Sequence, residues 1–229
     1  NFCVVVDDVD MRITHVIRGD DHLNNTPRQI ALYRAFGYPI PMFGHLSMIL
    51  GSDKARLSKR HGAMSVQSYR EDGYLPEAML NYLVRLGWSF KDQEIFSTDE
   101  LIQKFSMSQV GSSSAMFNPE KLLWINAHYV KTSDPVKIVP LLCYHLEQRG
   151  IKTDVIDPDY LKRVIVVLQP RSRTIREMAE SADYFFAEEI VVDDKADDFL
   201  TERTLPILTA VYDQLLLIPF ERGVLERMF

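Results

Sequence analysis

Hydrophobic and polar positions follow a strand-like pattern near the start of the chain. Ile13–Ile17 is a short run rich in β-branched residues that leads into Arg18-Gly19, and it predicts a strand. His45–Leu50 predicts a second strand. The polar stretch Gly51–Gly62 has glycine at both ends and predicts a loop after that strand.

A helix is predicted between these two strands. Thr26 can cap its first turn, Pro27 suits an N-terminal helical position, and Gln29 is spaced to close a capping box. The helix is expected to end at Gly37. Residues 1–62 therefore alternate strand and helix, which is typical of an α/β unit.

Beyond Ser65 the apolar spacing becomes helical. Glycines at positions 87 and 150 are expected to end two of the helices, and the polar break Lys131–Asp134 is a candidate domain boundary, as is Ser65. The second half is therefore predicted to be rich in helices. Its predicted helix starts share a capping residue or an early proline, and they lie at Pro76, Ser97 with Glu100, Asn118-Pro119, Asp134-Pro135, Asp157-Pro158 and Thr174.

The composition is that of an ordinary globular protein, with 229 residues, 46% apolar and 25% charged residues and a formal charge of −6. No apolar run approaches the ~18 residues of a membrane-spanning helix, so no membrane span is predicted. Two cysteines, Cys3 and Cys143, are too few for a disulfide framework. A reducing, cytoplasmic setting is therefore expected.

Two stretches are basic despite the negative net charge. Lys54, Arg56, Lys59 and Arg60 crowd into the predicted loop, and Tyr160–Arg176 carries five cations and no acid. Such local patches can bind polyanions, although a solvated surface remains an open alternative. Cations in a loop that follows a strand suit a bound polyphosphate, because negative charge builds up on phosphate oxygens during transfer.

The loop also carries a specific resemblance. Arg56-Leu57-Ser58-Lys59-Arg60 resembles the Lys-Met-Ser-Lys-Ser signature of class I aminoacyl-tRNA synthetases, in the Leu-Ser-Lys-Arg form of the glutamyl-tRNA synthetases. Three further segments resemble the same family in order and spacing: Ile13–Pro27, Tyr74–Trp88 and Phe117–Trp124. The resemblance also predicts a helix over Phe2–Val9, where the apolar pattern alone does not decide between helix and strand.

The fold implied by the resemblance is α/β plus all-α. Residues 1–65 would form the second half of a Rossmann-type catalytic domain, 66–132 a helical stem-contact domain, and 133–229 part of a helical anticodon-binding domain. The His-Ile-Gly-His signature that such enzymes carry early in the catalytic domain does not occur in the sequence. We therefore expect the chain to be a fragment of the enzyme and to be catalytically incompetent alone.

Residue roles follow from the same resemblance. Lys59 matches the catalytic lysine that contacts the ATP phosphates, and Arg56 stands where the signature has its first lysine. Arg18 matches an arginine that pairs with the carboxylate of the amino-acid substrate, for which a guanidinium fork is well suited. The predicted ATP-binding residues are Asp21, His22, Arg56, Leu57, Ser58, Lys59 and Arg60.

The basic stretch near residue 170 is assigned to tRNA by the resemblance. Arg171 is predicted to read the anticodon, and Arg173 and Arg176 to touch phosphates or solvent. Asp20-Asp21-His22 is not expected to bind a metal ion, because adjacent side chains rarely converge on one ion and no second ligand group has matching spacing.

The expected activity is ligation of glutamate to tRNA(Glu) with ATP as substrate and Mg²⁺ balancing the phosphate charge. We expect a cytoplasmic protein, monomeric at full length. A glutaminyl-tRNA synthetase, a paralogue that modifies a tRNA base, and a non-catalytic tRNA-binding module remain alternatives. The helical signals from Asp134 to Leu217 argue against the first two, since the former ends in β-barrels and the latter lacks an anticodon-binding domain.

Overall fold

The computed structural model describes residues 1–57, 65–187, 196 and 198–217. It begins with helix α1 (Phe2–Asp10), strand β1 (His15–Gly19), helix α2 (Thr26–Ala35) and strand β2 (Met42–Leu46). The chain then forms eight helices within the described residues: α3 (Val66–Glu71), α4 (Pro76–Arg85), α5 (Thr98–Lys104), α6 (Pro119–Thr132), α7 (Pro135–Gln148), α8 (Pro158–Leu168), α9 (Ile175–Phe186) and α10 (Leu205–Leu215).

The two strands form a parallel pair in which Arg18 lies opposite His45. Helix α2 connects them, and α1 packs on α2 through Val5 and Tyr33, both of which are buried. The Tyr33 hydroxyl donates to Asp8 at 3.1 Å. Burial, followed by this contact, raises the pKa of Tyr33 to about 12. The predicted strand–helix alternation and the predicted first helix are therefore confirmed.

The predicted second strand is placed wrongly, since β2 begins and ends before His45–Leu50 does. Leu50 leaves the sheet and instead forms isolated bridges with Arg56 and Met116. Contacts with distant parts of the chain therefore end the strand earlier than the apolar pattern predicts.

The predicted helix caps are confirmed at most positions in the second half. Ser97 and Glu100 form a complete capping box, and the side chains of Asn118, Asp134 and Asp157 accept hydrogen bonds from first-turn N–H groups. In the first half, the capping box predicted for Thr26 and Gln29 does not form. The N-cap of α2 is Asn25, which makes no side-chain cap, and no capping box forms there.

Helices α6 to α9 each bury apolar side chains. Their fully buried side chains include Leu122, Ile138, Leu142, Ile165 and Met178. A further hydrophobic cluster is formed by Trp88, Phe96 and Leu101. The chain divides into two compact units, Asn1–Phe185 and Phe186–Phe229. No helix in the described part of the chain is long and apolar enough to cross a membrane.

Candidate active site

Arg18 lies at the carboxyl end of β1, where parallel sheets commonly bind ligands. Its Nη2 atom donates to the Thr26 hydroxyl at 2.7 Å and to Gln29 Oε1 at 2.9 Å. A longer contact of 3.5 Å reaches the carbonyl of His22. The Nε atom is buried and has no acceptor among the described residues. The guanidinium is thus held through Nη2, and Nε is a buried donor without an acceptor among the described residues.

Two of the predicted ATP-site residues meet in the structure. Arg56 Nη2 lies 3.1 Å from Asp21 Oδ2, and both side chains remain partly open to solvent. Exposed pairs of this kind add little stability, so the contact mainly fixes where the start of the signature loop lies. Gly19 makes room for this arrangement, because a Cβ there would lie 2.6 Å from the Asp21 carboxylate.

His22 lies beside the same carboxylate. Its Nε2 atom is 3.9 Å from Asp21 Oδ2, and its Nδ1 is 3.2 Å from the Asn25 amide nitrogen. Leu57 is anchored by its backbone N–H, which donates to the carbonyl of Ile49 at 2.9 Å. Arg18, Asp21, His22 and the first part of the loop therefore gather at the carboxyl end of the small sheet.

The remaining loop residues, Ser58, Lys59 and Arg60, lie outside the described residues. Within the described part of the chain, no three His, Cys, Asp or Glu side chains form a group that could hold a metal ion. The Asp21 carboxylate is used by Arg56 instead.

Arg171 lies apart in sequence, in a 3₁₀ turn after α8, and its side chain is exposed. It forms no ion pair with a described residue, whereas two neighbouring arginines do: Arg173 pairs with Glu177, and Arg176 pairs with Asp72 and with Glu180. Both arginines help to hold α9, and their side chains remain 60% and 57% exposed, so their predicted contact with phosphates or solvent stays a prediction.

Sequence reasoning missed the roles of Thr26 and Gln29. Their three-residue spacing places both on one face of α2, and that face meets Arg18. The same three-residue spacing is that of a capping box, so the sequence alone favours a role for both residues within the helix. His45 Nε2, on the paired strand, lies 2.9 Å from the same Thr26 hydroxyl.

Comparison with known proteins agrees with this arrangement. Residues 1–124 match the family model described as tRNA synthetases class I (E and Q), catalytic domain, and residues 137–229 match an anticodon binding domain. The glutamate–tRNA ligase of Geotalea uraniireducens is 58% identical over 208 residues, which are 90% of this chain and 44% of the relative. That of Syntrophotalea carbinolica is 59% identical over 196 residues, 86% of this chain and 42% of the relative.

Solved structures show the same fold. A glutamate tRNA ligase from Elizabethkingia meningosepticum, crystallised in complex with its amino acid, superposes with a TM-score of 0.78 at 28% identity, over 99% of this chain and 48% of that one. The chain thus spans less than half the length of the curated relatives it matches. The predicted catalytic α/β part followed by a helical anticodon-binding part is confirmed. The chain belongs to the class I tRNA synthetases of the glutamate and glutamine group.

Proposed function

We propose that this chain works as part of a glutamate–tRNA ligase. Glutamate would attack the α-phosphate of ATP through a carboxylate oxygen, giving a glutamyl adenylate and pyrophosphate. The terminal ribose of tRNA(Glu) would then attack the activated carbonyl and release AMP. High identity to relatives named as glutamate–tRNA ligases supports this choice over the glutamine enzyme.

The observation that carries the proposal is the Arg18 guanidinium. Buried donors without an acceptor are rare in folded proteins and cost free energy. A substrate carboxylate would satisfy the buried Nε donor of Arg18 with a charge-assisted hydrogen bond. Because Nη2 is already engaged by α2, the arginine is oriented before the substrate arrives.

The ATP site is proposed to lie beside it. Asp21 and His22 would line the nucleotide, and Lys59 would neutralise charge on the phosphates, with Leu57, Ser58 and Arg60 completing the loop. Arg56 would act mainly by holding the loop, since its guanidinium pairs with Asp21. Mg²⁺ is proposed to arrive with ATP as the counter-ion of the phosphates, and no described residue is assigned to hold it.

The test is ATP–pyrophosphate exchange by the complete gene product, with tRNA present and with glutamate and glutamine in parallel. Exchange with glutamate is expected, and Arg18→Gln should raise the KM for glutamate by about 100-fold, since hydrogen bonds to charged groups contribute about 1.5–3 kcal/mol. Exchange with glutamine alone, or a normal KM for glutamate in the Arg18 variant, would contradict the proposal.

We further propose that Arg171 contacts the anticodon bases of tRNA. Its exposed side chain is not used by the described part of the fold, and a planar guanidinium can stack on an unpaired base. Arg171→Ala should weaken tRNA binding about tenfold in a filter-binding assay and leave thermal stability unchanged. Arg173→Ala is the matched control, because Arg173 is paired with Glu177. Equal binding losses in both variants would argue against a specific role for Arg171.

The domain division at residues 65 and 132 stays part of the proposal, as do a cytoplasmic location and a monomeric state at full length. The glycine-flanked loop and the polar break at Lys131–Asp134 support the two boundaries. Sedimentation of the complete gene product with and without tRNA would test the monomeric state.

A further inference from the structure

A buried chain of polar side chains lies behind Arg18. Gln29 and Thr26 are only 5% and 8% exposed, although both side chains are polar. Each of them contacts Nη2 of Arg18 on one side and a second polar side chain on the other. The second contacts are Asn1 for Gln29 and His45 for Thr26.

The chemistry of these groups fixes their orientations. A guanidinium can only donate, so the Gln29 atom that faces Arg18 is the carbonyl oxygen, Oε1. The amide nitrogen then points the other way and donates to Asn1 Oδ1 at 3.1 Å. Flipping the Gln29 amide would place one donor against another on the Arg18 side. Asn1 therefore helps to keep an acceptor aimed at Arg18.

The Thr26 hydroxyl likewise contacts Arg18 on one side and a second polar side chain on the other. Its Oγ1 atom accepts from Arg18 at 2.7 Å, which leaves the hydroxyl hydrogen available for His45 Nε2 at 2.9 Å. The register of the sheet places both Arg18 and His45 near Thr26. Arg18 and His45 are paired on adjacent parallel strands, so their side chains leave the same face of the sheet and meet the first turn of α2.

We propose that Gln29 and Thr26 are positioning residues for the amino-acid substrate. They accept hydrogen bonds from Nη2 of Arg18 and leave its Nε for the substrate carboxylate. Neither touches the reacting atoms, and both act through the orientation of the guanidinium. The inference rests on the proposed function, because it takes glutamate as the ligand of Arg18.

The experiment measures steady-state ATP–pyrophosphate exchange in the complete gene product. Gln29→Met removes the acceptor at similar length, and Thr26→Val removes the hydroxyl at similar volume. Each should raise the KM for glutamate about tenfold and change the KM for ATP by less than about twofold, because each removes one hydrogen bond that orients Arg18. Thr26→Ser restores the hydroxyl and should return the KM to within about threefold of the wild-type value.

Gln29→Glu tests the same contact without changing size. It keeps an acceptor for Arg18 but adds a negative charge that competes with the substrate carboxylate for the guanidinium. The KM for glutamate should therefore rise at least as far as in Gln29→Met. Because Gln29→Glu preserves the contact with Arg18, it still reports on the inference if Gln29→Met does not fold.

Tyr33→Phe is the matched control. It removes a partly buried hydrogen bond between the same helix and Asp8 and removes no hydrogen bond of Arg18. It should lower the thermal midpoint and leave the KM for glutamate unchanged. Gln29 and Thr26 variants that lose stability as Tyr33→Phe does, with a normal KM for glutamate, would overturn the inference.

The two proposals fail in different ways. If the wild-type protein shows no exchange with glutamate, the proposed function is wrong and the inference falls with it. If Arg18→Gln loses glutamate while Gln29→Met and Thr26→Val keep the wild-type KM, the function stands and only the positioning role is refuted. A rise in the KM for ATP equal to that for glutamate would also refute it, since it would indicate a general disturbance of the site.

Discussion

Asn126 links three segments of the helical part and offers a sharp test of how they are held together. It lies on α6 with no exposed surface. Its Oδ1 accepts from the backbone N–H of Leu75 at 2.8 Å, just before α4. Its Nδ2 donates to the carbonyl of Arg173 at 2.6 Å, just before α9. One amide thus joins the segment after the signature loop to the segment that carries Arg171.

The expected cost of Asn126→Leu follows from these two contacts. The Leu75 N–H would be left buried without an acceptor, which costs about 1–3 kcal/mol. The Arg173 carbonyl is only partly buried, so water can replace some of its lost hydrogen bond and its share is about 1 kcal/mol. The total, about 2–4 kcal/mol, is a large part of the ~5–15 kcal/mol by which domains are stable.

Urea unfolding followed by far-UV circular dichroism measures this loss. Asn118→Ala is the matched control, because it removes an exposed helix cap on the same helix and should cost only about 1 kcal/mol. Asn126→Asp provides a second test of the same two hydrogen bonds. It keeps the acceptor for Leu75 but turns an anionic oxygen towards the Arg173 carbonyl, so its penalty should shrink as acid protonates the carboxyl and restores a donor.

The reasoning would be refuted if Asn126→Leu lost less than about 1 kcal/mol with an unchanged dependence on urea. Such a result would mean that the two backbone groups find other partners at no cost. A penalty for Asn126→Asp that did not change with pH would contradict the assignment of Nδ2 as the donor.

Two further predictions concern backbone geometry and acid stability. Gly73→Ala should lower the free energy of unfolding by about 2 kcal/mol or more, because its φ of +81° disfavours a side chain and a Cβ there would clash with the backbone nitrogen of Arg176. Gly37→Ala has a similar φ of +70° but open space around the Cβ position, so it should cost only about 1 kcal/mol in the same urea experiment. The hydrogen bond from Lys104, followed by those from the Ser97 backbone and the Gln93 side chain, lowers the pKa of Glu100 to about 2. The stabilising effect of the ionised carboxylate is therefore present above the ordinary carboxyl range and is lost as pH falls towards 2. Glu100→Gln should therefore flatten the fall of the thermal midpoint between about pH 5 and 2, and a fall as steep as in the wild type would contradict this assignment.

Local signals in the sequence are sufficient to predict many of the helix starts in the helical part. Ser97 with Glu100 and Asn118 with its proline mark helix starts by contacts within three residues, and the structure forms these caps. Contacts between distant segments are harder to predict. Leu50 lies beyond the end of β2 and bridges to Met116, which is far along the chain, and no periodicity within residues 45–50 predicts that contact.

In the candidate site, too, contacts between distant segments are harder to predict from the sequence than the residue types themselves. Arg18 and the signature loop are identifiable because their residue types match a known pattern. Thr26 and Gln29 have hydrogen-bonding groups that suit either a helix cap or a tertiary partner, and sequence spacing is the same in both cases. The tertiary contact is formed because Arg18 leaves the sheet on the side that faces α2.

Asn126 and Arg18 differ in how completely their polar atoms are hydrogen-bonded. Asn126 uses both of its amide atoms inside the protein. Among the described residues, the buried side-chain atoms without a partner are Arg18 Nε and Arg85 Nη1. An orphan donor alone does not identify a site, and nothing in the structure explains the one at Arg85. Arg18 differs because it lies at the carboxyl end of a parallel strand, near Asp21 in the chain, and because its Nη2 donates hydrogen bonds to two side chains of α2. Its guanidinium is oriented by two buried acceptors and keeps one buried donor without a partner among the described residues, which is the basis of the anion site proposed above.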